Sequence, residues 1–224
     1  DGSITSTVSA NTTSGFSICT FTGTGATSET VGHGLNSTPE LVIAKRRDNV
    51  SDWFVYSKEF PDASYYMYLN STAAQAVYNP FWNSTAPTSS VFTIGSIFGS
   101  GGTYLAYCFH SVEGFSKFGS YVGNGSADGA FVYTGFRPSF LIIKATGLSE
   151  GWIMYDVKRN SYNLSSTVIT AEEASGDATN NVYGIDILSN GFKCRYNWNG
   201  VNGSGQNYIY MAFAENPFKY SNAR

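Results

Sequence analysis

The apolar and polar positions of this chain follow one pattern twice, about 100 residues apart. From Pro39 to Tyr56, a proline opens an apolar run that ends at Lys45, a polar turn follows, and Trp53 begins a second apolar run. From Pro138 to Tyr155 the same order recurs at an offset of 99 positions, without a gap, and its lysine is Lys144. A recurrence over 18 positions indicates an internal duplication of a β-rich unit.

Short apolar runs between turn residues predict β-strands in both copies. The continuous run Leu41 to Ala44 is typical of a central strand or of one buried on both faces. Tyr104 to Phe109 closes the first copy as a strongly apolar strand, and Tyr208 to Phe213 closes the second. We align the alternating run Val182 to Leu188 with Val91 to Ile94 of the first copy.

Turn residues punctuate these runs and leave little room for helices. Ser189-Asn190-Gly191 predicts a hairpin turn. Residues 71–76 could form one helical turn, but no segment of ten or more residues has a helical period. The pattern therefore predicts an all-β fold of two tandem β-sandwich units, jelly-roll-like in their short strands and dense turns.

The repeated motifs also set the expected boundaries. Gly15-Phe16-Ser17 opens the first copy and Gly114-Phe115-Ser116 opens the second. We therefore predict a polar linker or arm at 1–14, a first repeat at 15–113 and a second repeat at 114–224. The close of the first copy overlaps the start of the second, and this shared seam predicts two units that pack rigidly together.

Composition narrows the possible functions. The 224 residues include 16 Tyr, 16 Phe and 4 Trp, but only 13% are charged, and the net charge is −3. Without a basic surface, nucleic-acid binding is not expected. No run approaches the ~18 apolar residues of a membrane-spanning helix, so membrane insertion is not expected either. The chain opens on Asp1, and we expect it to be part of a longer protein.

The residues that carry chemistry form no recognisable catalytic or metal-binding motif. Cys19, Cys108 and Cys194 lie among apolar neighbours and are expected as small buried side chains, and no close pair of ligands predicts a metal or cofactor. His33 and His110 have no counterpart in the second copy, so we expect no catalytic histidine.

Two weaker signals stay open at this point. A scattered set of carboxylates, mostly in predicted turns and edges, could cleave glycosides if the fold paired two of them: Glu59, Asp62, Asp156, Glu172 and Glu173. Gly123 to Gly129 faintly resembles a calcium loop but lacks its clustered acids, and a plain turn is favoured.

Partner binding is expected at loop tips that carry aromatic and basic side chains. Exposed tyrosines and tryptophans can stack on sugar rings or fill an interface between chains. The loops chosen are 46–52, 78–82 and 196–202. The predicted binding residues are Arg46, Arg47, Tyr78, Trp82, Tyr196 and Trp198.

Several motifs together resemble a known family. They include GFS at 15–17, FTGTG at 21–25, PELVIAKRR at 39–47 and the closing ENPFKYSNAR at 215–224. In these motifs the chain is similar to tandem-repeat β-domains found near the C-termini of marine bacteriophage structural proteins that are labelled tail fibre proteins. The resemblance covers Gly15 to Arg224 and implies a component of the virion, but it supplies no catalytic residue.

Together, the composition and the resemblance favour a non-enzymatic virion structural protein. We expect the C-terminal part of a tail fibre or appendage that attaches the phage to its host, assembled in the bacterial cytoplasm and exposed on the particle. A homotrimer is favoured, in contact with other virion proteins and with a host-surface glycan or protein. The alternatives are a capsid decoration protein, a glycan-binding β-sandwich module and a polysaccharide-degrading tail enzyme.

Overall fold

The computed structural model describes residues 1–215, and its regular structure is almost entirely antiparallel β-sheet. The one helical element in this range is a short 3-10 helix, Asn181–Tyr183. These residues include no helix with the length and apolarity that a bilayer crossing demands. The closing motif predicted at 215–224 lies outside the described residues except for Glu215.

The chain divides into two compact units. Unit 1 comprises Asp1–Leu69 and Gln75–Ser111, and unit 2 comprises Asn70–Ala74 and the chain from Val112 onward. This division differs from the predicted one in three places, and one of them is the boundary, which falls after Ser111 instead of after Glu113. The predicted arm at 1–14 belongs to unit 1, and residues 70–74, placed in the first repeat by sequence, belong to unit 2.

Unit 1 is a sandwich of one large and one small sheet. Its strands are β1 (Ser6–Asn11), β2 (Phe16–Thr22), β3 (Glu29–Gly32), β4 (Leu41–Arg46), β5 (Trp53–Ser57), β6 (Tyr65–Tyr68), β7 (Ala76–Val77), β8 (Val91–Ile94) and β9 (Thr103–Phe109). The large sheet has the order β1-β2-β9-β4-β5-β6-β7, and β3 pairs with β8 in the small sheet. As predicted, Leu41 to Ala44 are buried without a break and form a central strand.

Unit 2 repeats this architecture, except that its large sheet has no counterpart of β1 and its small sheet has one additional strand. Its strands are β10 (Ser116–Val122), β11 (Phe131–Tyr133), β12 (Pro138–Ala145), β13 (Ile153–Asp156), β14 (Thr167–Thr170), β15 (Ala178–Thr179), β16 (Ile185–Leu188), β17 (Gly191–Cys194) and β18 (Asn207–Ala214). The large sheet has the order β10-β18-β12-β13-β14-β15, and the small sheet has the order β11-β17-β16, with β16 as the additional strand.

The core of each unit lies between its two sheets and follows from strand alternation. Along β9, Tyr104, Ala106 and Cys108 are buried while the residues between them are partly exposed. These side chains pack with Val31 and Phe92 from the small sheet into one apolar cluster. The sequence predicted this strand only as a strongly apolar run, and the structure shows that alternate residues of it face inward.

The strand pairing corrects one alignment between the copies. β8 pairs with β3 so that Phe92 faces Val31. In unit 2 it is β17, not Val182 to Leu188, that takes this place, because Phe192 faces Val132 of β11. The run aligned by sequence forms the short helix and β16 instead.

Two local predictions can be compared directly with the structure. The hairpin turn predicted at 189–191 is confirmed, because Leu188 pairs with Gly191 across a two-residue loop. Gly191 is needed there, since any side chain would collide with the carbonyl of Val132. The single helical turn considered at 71–76 is absent, and Ala76 instead begins β7.

The three cysteines and His33 are buried side chains of the two units. All three cysteines are free and buried, as predicted. Burial raises the pKa of the Cys194 thiol to about 12, so this thiol stays protonated at neutral pH. His33 is also fully buried. The backbone N–H of Leu35 donates to its Nδ1 at 3.2 Å, so Nε2 carries the proton and donates to the carbonyl of Thr88, also at 3.2 Å.

Burial lowers the pKa of His33 below its usual value, and stability should therefore fall in mild acid. The unfolded chain, with a histidine pKa of about 6.5, binds the proton first as the pH drops. Between pH 7 and pH 5 we expect the free energy of unfolding to fall by at most about 2 kcal/mol, because the unfolded histidine gains its proton only below about pH 6.5 and each pH unit then contributes about 1.4 kcal/mol. His33→Gln should remove this loss, measured by urea unfolding at several pH values.

The matched control is His110→Gln, which changes the other histidine of the chain, a partly exposed one. This variant should keep the wild-type loss of stability between pH 7 and pH 5. An unchanged pH dependence in His33→Gln would contradict the role assigned to the buried imidazole.

Candidate functional site

The best-formed candidate site is a cleft of ≈ 300 Å³ within unit 2. Its floor is formed by side chains of β13 and β14, including Ile153, Val168 and Thr170. Its walls come from the loop after β12, the connection between β14 and β15, and residues around Thr72 and Trp198. The cleft therefore draws on both the sheet and the loops of one unit, as ligand sites in rigid scaffolds commonly do.

The equivalent place in unit 1 is filled by aromatic rings. Ile153 pairs with Thr170 as Phe54 pairs with Tyr68, and Val168 pairs with Ala178 as Tyr66 pairs with Ala76. The two units therefore place different residues at equivalent positions. Unit 2 has Ile, Val and Thr where unit 1 has Phe, Tyr and Tyr.

The rings of unit 1 converge on Phe81. Its ring centroid lies 4.2 Å from that of Tyr66 and 4.8 Å from that of Phe54. Tyr68 approaches the same ring at 6.1 Å. Because smaller side chains stand at the three equivalent positions of unit 2, the same region of the fold is open there.

An aromatic pair forms one wall of the cleft. The rings of Tyr183 and Trp198 lie 4.7 Å apart between centroids, tilted by 52°. Both side chains are partly exposed and pack against the core of unit 2. Trp198 lies in the connection between β17 and β18, which is four residues longer than that between β8 and β9, since 195–206 replaces 95–102. A rigid, half-exposed indole of this kind is suited to stacking on a sugar ring.

Hydrogen-bonding groups line the rest of the cleft. Glu150, Glu172 and Glu173 contribute carboxylates. Burial raises the pKa of Glu150, and the nearby Lys144 only partly offsets this. The hydroxyl oxygen of Thr170 is buried and has no hydrogen-bond partner among residues 1–215. These groups can accept or donate hydrogen bonds to the hydroxyl groups of a ligand.

Behind the walls lies a fully buried lysine. The ammonium of Lys144 is within hydrogen-bond distance of four backbone carbonyls, those of Thr72, Ala145, Leu148 and Glu150, at 2.7–3.4 Å. Burial lowers its pKa to about 8, although the carboxylates of Glu172 and Glu150 favour the charged form. Lys144 does not itself line the cleft.

The structure separates the predicted binding residues into different environments. Tyr196 and Trp198 lie in the loop beside the cleft, but Tyr196 does not line it. The Arg46 guanidinium pairs with Asp48 and lies 5.9 Å from the ring centroid of Tyr104. Arg47 is exposed and borders a separate, open groove of ≈ 550 Å³ in unit 1.

That groove is larger than the cleft, but it offers less specific chemistry. Its lining is mostly threonine hydroxyls from β1 and β2 together with Arg47. Phe21 is its one aromatic residue, and that ring is only 5% exposed because it belongs to the core. We therefore favour the cleft as the candidate site.

Trp82 corrects the sequence prediction. This side chain is only 2% exposed and packs in the core of unit 1 beside Tyr56 and Phe98, so it is not available to a partner. Tyr78, from the same predicted loop, is 48% exposed and remains accessible. Sequence alone did not separate the two because both lie in the same short stretch around Pro80.

Other cleft residues were missed or left open by sequence reasoning. Tyr183 lay in a run read only as a strand, Thr170 was not singled out, and Glu150 stood in a turn. Glu172 and Glu173, considered there as carboxylates, do line the cleft. The signal that could have found the site was the loss of aromatic residues in the second copy at positions where the first copy has them. No group of three or more His, Cys, Asp or Glu within residues 1–215 could hold a metal ion.

Comparison with known proteins gives a family without an assigned activity. Residues 1–217 match the family described as a domain of unknown function, DUF7483, and the chain therefore belongs to that family. No curated protein matches the chain. No solved structure matches it either.

The contrast between Trp82 and Trp198 can be tested by stability. Trp82→Ala should lower the free energy of unfolding by about 3–5 kcal/mol, because it leaves a large cavity in the core. Trp198→Ala should cost less than about 2 kcal/mol, because its ring is already partly exposed. Chemical denaturation of both variants measures the difference. Equal losses would show that Trp198 is as much a core residue as Trp82.

Proposed function

We propose that this chain, as a member of that family, is a non-enzymatic part of a bacteriophage virion protein that attaches the particle to its host. The resemblance to domains of phage structural proteins supports the virion assignment. The low charge, the two sandwich units and the accessible loop aromatics suit a rigid appendage. Binding is assigned to the cleft in unit 2, and the ligand proposed is a glycan of the host surface.

One observation carries the binding assignment. Two units of the same architecture differ at one region, which aromatic rings fill in unit 1 and smaller side chains leave open in unit 2. Filling that region would bury more apolar surface and favour stability. Unit 2 lacks this burial and instead has an open cleft lined by an aromatic pair and polar groups. We infer that the cleft binds a ligand.

The lining also indicates the class of glycan. The partly exposed ring of Trp198 suits the apolar face of a sugar ring, and the glutamate side chains of the lining suit its hydroxyl groups. The three glutamates disfavour ligands that carry carboxylate or sulfate groups, because like charges repel in a partly desolvated site. Neutral sugars and amino sugars are therefore the proposed ligands.

Glycan binding can be measured with a panel of neutral, amino and acidic oligosaccharides. Trp198→Ala should weaken binding of the preferred sugar at least about tenfold, because the stacking surface is lost. Thr170→Tyr, which introduces the residue of the equivalent position in unit 1, should abolish binding by filling the cleft. Tyr78→Ala is the control, because it removes an accessible aromatic of unit 1.

Three results would count against this assignment. They are equal binding by all three variants, a loss confined to Tyr78→Ala, and a preference for acidic sugars. Calorimetry with a single purified oligosaccharide gives the affinities and also shows whether one site is present per chain.

A second function is favoured by one feature of the same cleft. Glu150 has a raised pKa and shares the cleft with Glu172, an arrangement that can supply an acid and a second carboxylate for glycoside cleavage. Reducing ends released from bound polysaccharide would establish this activity, provided that Glu150→Gln abolishes their release. Binding without release supports the non-enzymatic function.

The virion assignment predicts an oligomer, with a trimer favoured as in fibres. Light scattering of the purified chain at several concentrations should give three times the 24.2 kDa chain mass, independent of dilution. A monomer at all concentrations would argue against a fibre. Antibody labelling of intact particles would then distinguish a tail appendage from a capsid decoration protein.

A further inference from the structure

Both repeats contain a lysine that fastens the same hairpin. In unit 1, the amine of Lys45 at the end of β4 donates to the backbone carbonyl of Ser51. In unit 2, Lys144 donates to the carbonyl of Glu150, the position equivalent to Ser51, at 2.7 Å. Both copies therefore have a hydrogen bond from the lysine of the first hairpin strand to a backbone carbonyl in the loop of the same hairpin.

Lys144 differs from Lys45 in what else it holds. Lys45 remains partly exposed, and its ammonium lies 5.7 Å from the ring centroid of Trp53. Lys144 is fully buried and also donates to the carbonyl of Thr72, at 3.0 Å. Thr72 lies in the segment 70–74, which belongs to unit 2 although it precedes the second repeat in sequence.

The residues that share this ammonium form two separate walls of the cleft. Thr72 lines the cleft from the segment 70–74, and Glu150 lines it from the hairpin loop. One amine behind the cleft is thus bonded to the backbone of both walls, and it touches neither the aromatic pair nor the opening.

We propose that Lys144 is the positioning residue of the cleft, which holds the segment 70–74 against the hairpin loop by binding the backbones of Thr72 and Glu150 at once. This inference rests on the proposed glycan-binding function for its effect on affinity. The hydrogen bonds of Lys144 to the two segments do not depend on a ligand, so their effect can be measured without one.

Removing the amine should loosen both walls. Lys144→Met retains most of the side-chain volume but leaves the carbonyls of Thr72 and Glu150 without their donor, which is costly for buried acceptors. Backbone amides in segments 70–77 and 145–152 should then exchange hydrogen at least about tenfold faster, as measured by mass spectrometry. Glycan affinity should fall by a comparable factor although Lys144 does not line the cleft.

The matched control is Lys45→Met. It removes the equivalent lysine from the equivalent hairpin, whose amine has no contact with the segment 70–74. Exchange in segments 70–77 and 145–152 and glycan affinity should remain at wild-type values. Loss in both variants, or in neither, would overturn the proposal.

The wild-type chain provides a second test that needs no variant to fold. The groups facing Lys144 are Glu150 on its own hairpin and Glu172 on the β14–β15 connection, while the segment 70–74 carries no charged side chain. When the walls open, the exposed amine regains a pKa near 10.5, above the value of about 8 in the closed state.

The sign of the pH effect follows from this difference. Between pH 8 and pH 10 the open state binds more protons, so rising pH should favour the closed state. After correction for base-catalysed exchange, protection of segments 70–77 and 145–152 should rise over this range and stay constant from pH 6.5 to pH 7.5. Flat protection up to pH 10 would overturn the proposal.

The two hypotheses fail in distinguishable ways. If wild-type protein binds no sugar but Lys144→Met still accelerates exchange in both walls, the proposed ligand is wrong and the fastening stands. If sugar binding depends on Trp198 but is insensitive to Lys144→Met, the ligand site stands and the positioning role is wrong.

Discussion

The pairing of the last strand of each repeat with strands on both its sides is the constraint on which the rest of the structure depends. β9 lies between β2 and β4, and β18 lies between β10 and β12. The final strand of each copy is therefore central in its large sheet. Its inward residues, such as Tyr104 and Tyr208, are among the most deeply buried side chains of the two cores. The small sheet has an apolar surface to cover only when this strand is in place.

The two copies show how one architecture can be used in two ways. In unit 1, Phe54, Tyr66 and Tyr68 gather around Phe81 and close the end of the sandwich. Protein interiors are close-packed, and an opening at such a place forgoes apolar contacts. Unit 2 lacks these apolar contacts at β13 and β14, and its loop that carries Trp198 is four residues longer than the equivalent loop of unit 1. Departures from good packing are where functional sites are expected.

Much of the fold could be predicted from the sequence, because the signals were local. The strongly apolar run of β9 and the continuous apolar run of β4 identify these strands, and the duplication supplies the equivalence of the hairpins. The strand of unit 2 that corresponds to β8 was predicted wrongly. Val182 to Leu188 and Gly191 to Cys194 are both short strand-like runs, and the sequence does not say which of them corresponds to β8. Only cross-strand pairing with Val132 distinguishes them.

The candidate site was predicted less well, because its formation is not local. Trp198 was identified from its loop, but Trp82 was expected at the surface and is a core residue. The two side chains differ in burial, because core residues surround the ring of Trp82 but only partly cover that of Trp198. The burial of Lys144 likewise depends on Thr72, which is 72 residues away in sequence. No pattern within the second repeat alone could reveal that partner.

The membership of 70–74 in unit 2 means that this unit is not a continuous piece of chain. The polypeptide enters unit 2 at Asn70, returns to unit 1 at Gln75, and enters unit 2 again at Val112. A fragment beginning at Val112 would contain every strand of the second sandwich, yet it would lack the carbonyl of Thr72 and one side of the cleft. The cleft of the second repeat is therefore complete only together with a segment of chain that precedes that repeat.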